Sequence, residues 1–209
     1  MPTLFERDLS IIIPVYNLEK YIQPMLDSLK AQELGKYKIE IIFVLNNCTD
    51  KTEEVICNSG LDCIITSCET QGCGPARNKG FKLSTGKYIW FLDGDDWLIS
   101  NTAVKDVLDK AYFEDVNVLY IPFVSELYRW QYFSMVGQYV MRRSFIEEFR
   151  FPDYQPAEDD AFMDMVLHKA GHNRGNYFQL PRMNKPLWNY NYLREGSNMY
   201  RVNILGEKI

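Results

Sequence analysis

The chain has 209 residues, 46% of them apolar, which is enough to bury one full core without a second domain. Its net charge of −5 and pI near 5.2 exclude a general nucleic-acid binder, whose affinity needs a basic face. The longest apolar runs, Ile11 to Ile13 and Ile39 to Leu45 with Glu40 interrupting, are far shorter than the ~20 residues that span a bilayer, and the N-terminal stretch lacks the basic start and apolar centre of a secretory signal; a cytoplasmic protein is expected.

In chain order, Leu9 to Pro14 reads as a strand stopped by its proline, with Asn17 where a helix cap belongs. A helix is predicted from Glu19 to Gln32, its regular part starting near Pro24, because Ile22, Met25, Leu26 and Leu29 share one face. Ile39 to Leu45 reads as a second, buried strand. Asp50 and Glu53 have the spacing of a capping box, and Cys63 to Thr66 is a short third strand. Gly72 to Pro75 is read as a loop, Ala76 to Ser84 as a helix, and Tyr88 to Leu92, apolar at every position, as a strand covered on both faces. Strands alternating with helices imply right-handed βαβ units, an α/β fold and a largely parallel sheet. Beyond the fourth strand, Thr102 to Tyr112 reads as a helix and Val116 to Val124 as a strand. Leu127 to Val140 reads as a hairpin or edge strand, Ser144 to Phe149 and Asp159 to Ala170 as helices, and the aromatic tail from Asn176 as a loop or strand closing over a site.

Five cysteines, Cys48, Cys57, Cys63, Cys68 and Cys73, fall close together, but they form no C-x-x-C pair and neither His168 nor His172 is near in sequence. Reduced structural thiols are expected rather than zinc ligands or disulfides.

The fourth strand ends in Asp93, Gly94, Asp95 and Asp96, at the edge where open α/β sheets bind ligands. In extended geometry Asp93 and Asp95 face the same way, and Gly94 permits close approach of a phosphate or backbone. Hard oxygen ligands at this spacing suit Mg²⁺ or Mn²⁺ shared with substrate phosphates, while a solvated turn capping the next helix is the plainer alternative.

Four blocks in order resemble the family 2 glycosyltransferases with the GT-A fold: Leu9 to Asn17, Glu40 to Asp50, Gly74 to Gly80 and Gly86 to Asp96. The resemblance covers nearly the whole chain. It implies one domain over 1–209, with a nucleotide-sugar half at 1–98 and an acceptor half at 99–209 closed by its C-terminal segment. It also implies a nucleotide-diphosphate sugar donor, UDP-sugar favoured, and an inverting transfer to a glycan or lipid-linked acceptor in surface-polysaccharide biosynthesis. The acceptor would be presented at the inner membrane face, which allows peripheral membrane association.

By the same match Tyr16 stacks the base, and Pro14, Asn17 and Glu19 lie beside base and ribose. Each also has a structural reading, as rim residue, strand end, helix cap and first-turn carboxylate respectively. Asn46 stands where relatives usually carry an Asp that accepts the uracil imide N–H. An amide still accepts there, although after a flip it also pairs with cytosine. Arg77 matches an Arg that meets base or phosphates, with a surface salt bridge as its alternative. Asp95 would hold the metal with Asp93, and Gly94 would lie against the donor. Asp159 matches the general base, with Glu158 orienting it or meeting the acceptor; the helix N-terminus is expected to lower the base's pKa, and helix capping alone is the competing reading. Arg194 and Ser197 match a closing segment, although Trp188, Tyr190 and Tyr192 at alternate positions also fit the buried face of a strand. A nucleotidyltransferase would need a Gly-rich loop after the first strand, which is lacking; a non-catalytic nucleotide-sugar-binding module is the remaining rival.

Overall fold

The computed structural model describes residues 5–125, 135–153, 158–173 and 179–191. In chain order the elements are β1 (Arg7–Val15), α1 (Gln23–Lys30), β2 (Ile39–Asn46), α2 (Thr52–Asn58), β3 (Ile64–Cys68), α3 (Cys73–Leu83), β4 (Gly86–Phe91), β5 (Trp97–Leu98), α4 (Ala103–Phe113), β6 (Val118–Tyr120), β7 (Phe123–Val124), a 3-10 turn at Val136–Gln138, β8 (Tyr139–Arg142), α5 (Arg143–Ile146), α6 (Glu158–Lys169) and β9 (Trp188–Asn189).

The main sheet has the order β3-β2-β1-β4-β8-β6. β1 pairs in parallel with β2 and β4, and β2 with β3, as strand-helix-strand connections require. β8 lies antiparallel to β4 and to β6. A second sheet, β5-β9-β7, joins the stretch just after the acidic residues to the C-terminal part of the described chain. The α/β architecture, a mostly parallel sheet flanked by helices with a small mixed part, agrees with the reading from sequence.

Leu9 to Val15 are all buried because both faces of β1 are covered. Leu9, Ile11, Ile13 and Val15 join α1 and α4 in one core, while Ile12 joins Ala76 and Phe81 of α3 and Phe162, Met163 and Val166 of α6 in the other. Glu40, the charge inside the second apolar run, is half-buried and has a polar use: it accepts from Ser10 Oγ at 2.6 Å and from the Thr85 N–H at 2.5 Å. α3 approaches the sheet closely at Gly80, where a Cβ would stand 2.4 Å from Ile12 Cγ2.

Several boundaries differ from the sequence reading. β1 continues through Pro14 to Val15, since the missing proline N–H costs little at the end of a ladder. α1 begins at Gln23 with Pro24 in its first turn, so Asn17 does not cap it; Asn17 adopts φ 50° in the preceding loop. α3 starts at Cys73 rather than after Pro75, because proline is tolerated in a first helical turn. α2 lacks a side-chain cap on its own N-cap residue; instead Asp50 accepts from the Thr52 N–H and Glu19 accepts from the Lys51 N–H. The single strand expected over Val116 to Val124 is divided at Ile121–Pro122 between the two sheets. β8 is inserted between β4 and β6 rather than lying at an edge, and α5 is only one turn. Residues 126–134 of the expected hairpin, and Tyr192, Arg194 and Ser197, lie outside the described residues.

Candidate active site

The C-terminal ends of β1, β2 and β4 form one edge, fixed by the pairs Val15 with Leu45 and Ile12 with Phe91. The loops after β1 and β2 are stitched together. Asn17 Oδ1 accepts from the Thr49 N–H at 2.8 Å, the Glu19 N–H donates to Asp50 at 3.0 Å, and the Leu18 N–H donates to Thr52 Oγ1 at 2.7 Å. Asn17 and Glu19 therefore brace this edge, and Pro14 is a buried strand residue beneath it. Tyr16, 57% exposed, keeps an open ring face at the rim.

The acidic loop leaves β4 at Leu92, whose N–H donates to the Ile12 carbonyl at 3.1 Å, and its turn is closed by Asp96 N–H to Asp93 O at 3.1 Å. Gly94 is demanded by packing: a Cβ there would lie 2.7 Å from Leu18 Cδ1 and 2.8 Å from Val15 Cγ1. The side chain that it lacks would point at Leu18 of the first loop and at Val15 and Ile13 of β1.

Arg77, on α3 and only 2% exposed, is the centre of the site. One terminal nitrogen donates to Asp93 Oδ1 at 2.7 Å; the other donates to Glu158 Oε1 at 3.2 Å and to Asp159 Oδ1. The alternative of a surface salt bridge is thereby removed. The two terminal nitrogens are occupied by carboxylates, Nε is buried with no partner among the described residues, and the Phe151 ring lies 5.3 Å from Cζ. Asn78 next to Arg77 positions that ring, exchanging bonds with the Phe151 backbone at 2.8 and 2.9 Å. Phe151 and the Val136 N–H, which donates to Asp159 Oδ2 at 3.4 Å, carry no local sequence signal that links them to the site.

Three carboxylates around one guanidinium leave a surplus of negative charge. Burial pushes the Asp159 carboxyl up to about 7, against the opposing pull of Arg77 and with help from Asp93 and Glu158. This corrects the expected lowering by the helix N-terminus: desolvation and two like charges outweigh the first-turn dipole. Burial, then the charges of Asp96, Asp93, Asp95 and Asp159, also raise the Tyr190 phenol, so that it stays protonated beside the acidic loop. The five cysteines are free thiols, and burial holds Cys73 up at about 12, far from a reactive thiolate.

Among the described residues no three His, Cys, Asp or Glu side chains converge on a metal position. Asp93, 41% exposed, and half-buried Asp95 instead offer two hard carboxylates beside a negative surplus. That donor set fits a Mg²⁺ or Mn²⁺ ion that completes its shell with diphosphate and water. Asn46 is 6% exposed, and its amide orientation is set by its partners: Nδ2 donates to the carbonyls of Cys68 at 3.1 Å and Thr70 at 2.7 Å, and Oδ1 accepts from the Gly72 N–H at 2.8 Å. A flip would set oxygen against two carbonyls, so the cytosine-pairing orientation is closed. A groove of about 740 Å³ lined by Lys36, Tyr37, Asp109, Tyr112 and Phe113 lies at the opposite end of β2 and includes none of these groups.

Residues 10–181 match the sequence profile of Glycosyl transferase family 2. The minor teichoic acid biosynthesis protein GgaB of Bacillus subtilis (strain 168) is 32% identical over 125 residues, covering 56% of this chain and 14% of GgaB. The poly(ribitol-phosphate) beta-N-acetylglucosaminyltransferase TarS of Staphylococcus aureus (strain Mu50 / ATCC 700699) is 34% identical over 110 residues, covering 51% of this chain and 18% of TarS. The chain thus spans only a small part of the length of these relatives. In fold it is similar to TarS 1–349 in complex with UDP-GlcNAc, with a TM-score of 0.79 at 24% identity over 92% of this chain and 60% of that one. It is also similar to the mannosyltransferase PcManGT from Pyrobaculum calidifontis in complex with GDP-Man and Mn²⁺, with a TM-score of 0.71 at 16% identity over 95% and 61%. Because the profile match runs from β1 past α6, and so includes both the acidic loop and the helix of Asp159, the chain belongs to glycosyl transferase family 2.

Proposed function

We propose that this chain is an inverting glycosyltransferase that moves a sugar from a UDP-sugar to a hydroxyl of a glycan or glycolipid acceptor in surface-polysaccharide biosynthesis. The carrying observation is the Arg77 bridge, which ties Asp93 on the donor side to Asp159 on the acceptor side through one buried guanidinium. Asp159 takes the proton from the acceptor hydroxyl as it attacks the anomeric carbon, and a carboxyl near neutrality is matched to that work. Glu158 shares Arg77 with it and steadies the pair. Attack from the face opposite the leaving diphosphate turns an α-linked donor into a β-linked product, in keeping with the beta linkage in the name of TarS. A Mn²⁺ or Mg²⁺ ion on Asp95 and Asp93 would neutralise the departing diphosphate; PcManGT is a structure with Mn²⁺.

Tyr16 offers its exposed ring to the base. Asn46, with both N–H groups used internally, retains acceptor capacity on Oδ1 alone, which suits the N3–H of uracil; TarS structures contain UDP and UDP-GlcNAc. The names of GgaB and TarS favour a teichoic-acid type of acceptor. Free thiols accord with work in a reducing compartment, with the acceptor presented at the inner membrane face. No helix among the described residues is long and apolar enough to cross a membrane.

Incubation with UDP-sugars and Mn²⁺ tests this reading. Slow release of free sugar and UDP is expected, and Asp159→Asn should lower it by roughly 10²-fold or more while donor affinity is kept. Binding without release would favour the non-catalytic module, and pyrophosphate from a nucleoside triphosphate would favour a nucleotidyltransferase.

A further inference from the structure

Asp96 has no part in the chemistry above, yet it is 2% exposed. Its backbone N–H closes the acidic turn on Asp93 O, and its Oδ1 accepts from the Asn191 N–H at 2.9 Å, 95 residues away in sequence. The same seam continues through β5 and β9, where Trp97 pairs with Asn189 and Leu98 with Trp188, and through the Ile99 N–H to Leu187 O at 3.0 Å. On the other side Tyr190 N–H donates to Val124 O at 2.9 Å, and Trp188 packs on Phe123 with ring centroids 5.2 Å apart. The bonds at Leu187, Trp188, Asn189 and Tyr190 join backbone to backbone, which side-chain substitution leaves in place. The bond at Asn191 is made by a side chain.

We infer that Asp96 is a positioning residue that clasps the Leu187–Asn191 segment to the acidic loop, so that Tyr190 and two carboxylates of that loop, Asp93 and Asp95, face the donor as one surface. The inference rests on the transferase reading for its effect on donor binding. Its physical basis is the acceptor oxygen, not the charge: an amide at this position still accepts from the Asn191 N–H, whereas a methyl group does not. A metal ligand would behave in the opposite way, because losing the anionic oxygen would weaken the ion's hold in either variant.

The test compares Asp96→Asn and Asp96→Ala with the unaltered chain by hydrogen exchange over Leu187–Asn191 and by UDP affinity in the presence of Mn²⁺. Asp96→Asn is expected to keep the protection of the Asn191 amide and an affinity close to that of the parent. Asp96→Ala should lose that protection and bind UDP about tenfold more weakly, the effect of one lost buried hydrogen bond. If Asp96→Asn falls as far as Asp96→Ala, the residue acts by charge and the clasp is overturned; unchanged exchange in Asp96→Ala overturns it as well. Should Asp96→Ala not fold, Asp96→Ser, too short to reach the amide, replaces it. A parent chain that binds no UDP would sink the transferase reading, while the exchange measurement would still decide the clasp.

Discussion

Asp159 and Asp93 share one guanidinium, so the proton affinity of the proposed base depends on groups it does not touch. With its carboxyl pushed up to about 7, the ionised fraction grows as pH rises through neutrality. Donor hydrolysis should therefore increase with pH through about 7 and then level off, and Glu158→Gln, by removing a negative neighbour, should move that limb to lower pH. A pH–rate profile of both proteins measures the shift; a limb that moves upward would contradict the sign. Asn46 makes the complementary argument for a neutral side chain. Asn46→Asp would set an oxygen against the carbonyls of Cys68 and Thr70 and remove the amide donor from both, a loss of about 1–3 kcal/mol read as a lower urea midpoint. An unchanged midpoint would mean that the Cys68–Gly72 loop does not depend on this amide.

At the scale of elements, α3 decides where Arg77 stands. Its axis is drawn onto the sheet by Gly80, which leaves no room for a methyl group against Ile12 and Val44, two residues held in β1 and β2. Gly80→Ala gains helix propensity but overpacks that contact, with an expected net cost of about 1–3 kcal/mol. Thermal unfolding should show a lower Tm, together with weaker catalysis if α3 is displaced; a rise in Tm would mean that the helix moves away freely. The stitched loops after β1 and β2 act similarly, with Asn17, Glu19 and Asp50 spending their side chains on holding the edge to which Tyr16 belongs.

Over the whole molecule, the site is assembled from four separate stretches: Arg77, the Asp93–Asp96 loop, Glu158–Asp159 and the Leu187–Asn191 segment. Crowding carboxylates around one buried arginine is costly until an opposite charge arrives. A ligand that binds only the folded chain should thus raise its stability, by about 2.7 kcal/mol at a hundredfold excess over Kd. UDP with Mn²⁺ is expected to raise Tm well beyond UDP alone, EDTA should remove the difference, and Asp95→Ala should abolish the metal-dependent part. Equal shifts with and without Mn²⁺ would count against a metal on the acidic loop.

The periods and punctuation of the chain, by themselves, determined the parallel βαβ core and the edge on which the chemistry sits. Continuous apolar strands such as Leu9 to Val15 and Tyr88 to Leu92 state their burial residue by residue, and Asp93, Gly94 and Asp95 by their residue types raise the hard-ligand chemistry proposed above. Local sequence did not disclose that Arg77 faces three carboxylates, that Gly94 serves the packing of Val15 and Leu18, or that the pKa of Asp159 is raised. Those facts depend on which groups far apart in the chain become neighbours and on how much water is excluded between them, and only tertiary structure sets distance and dielectric together.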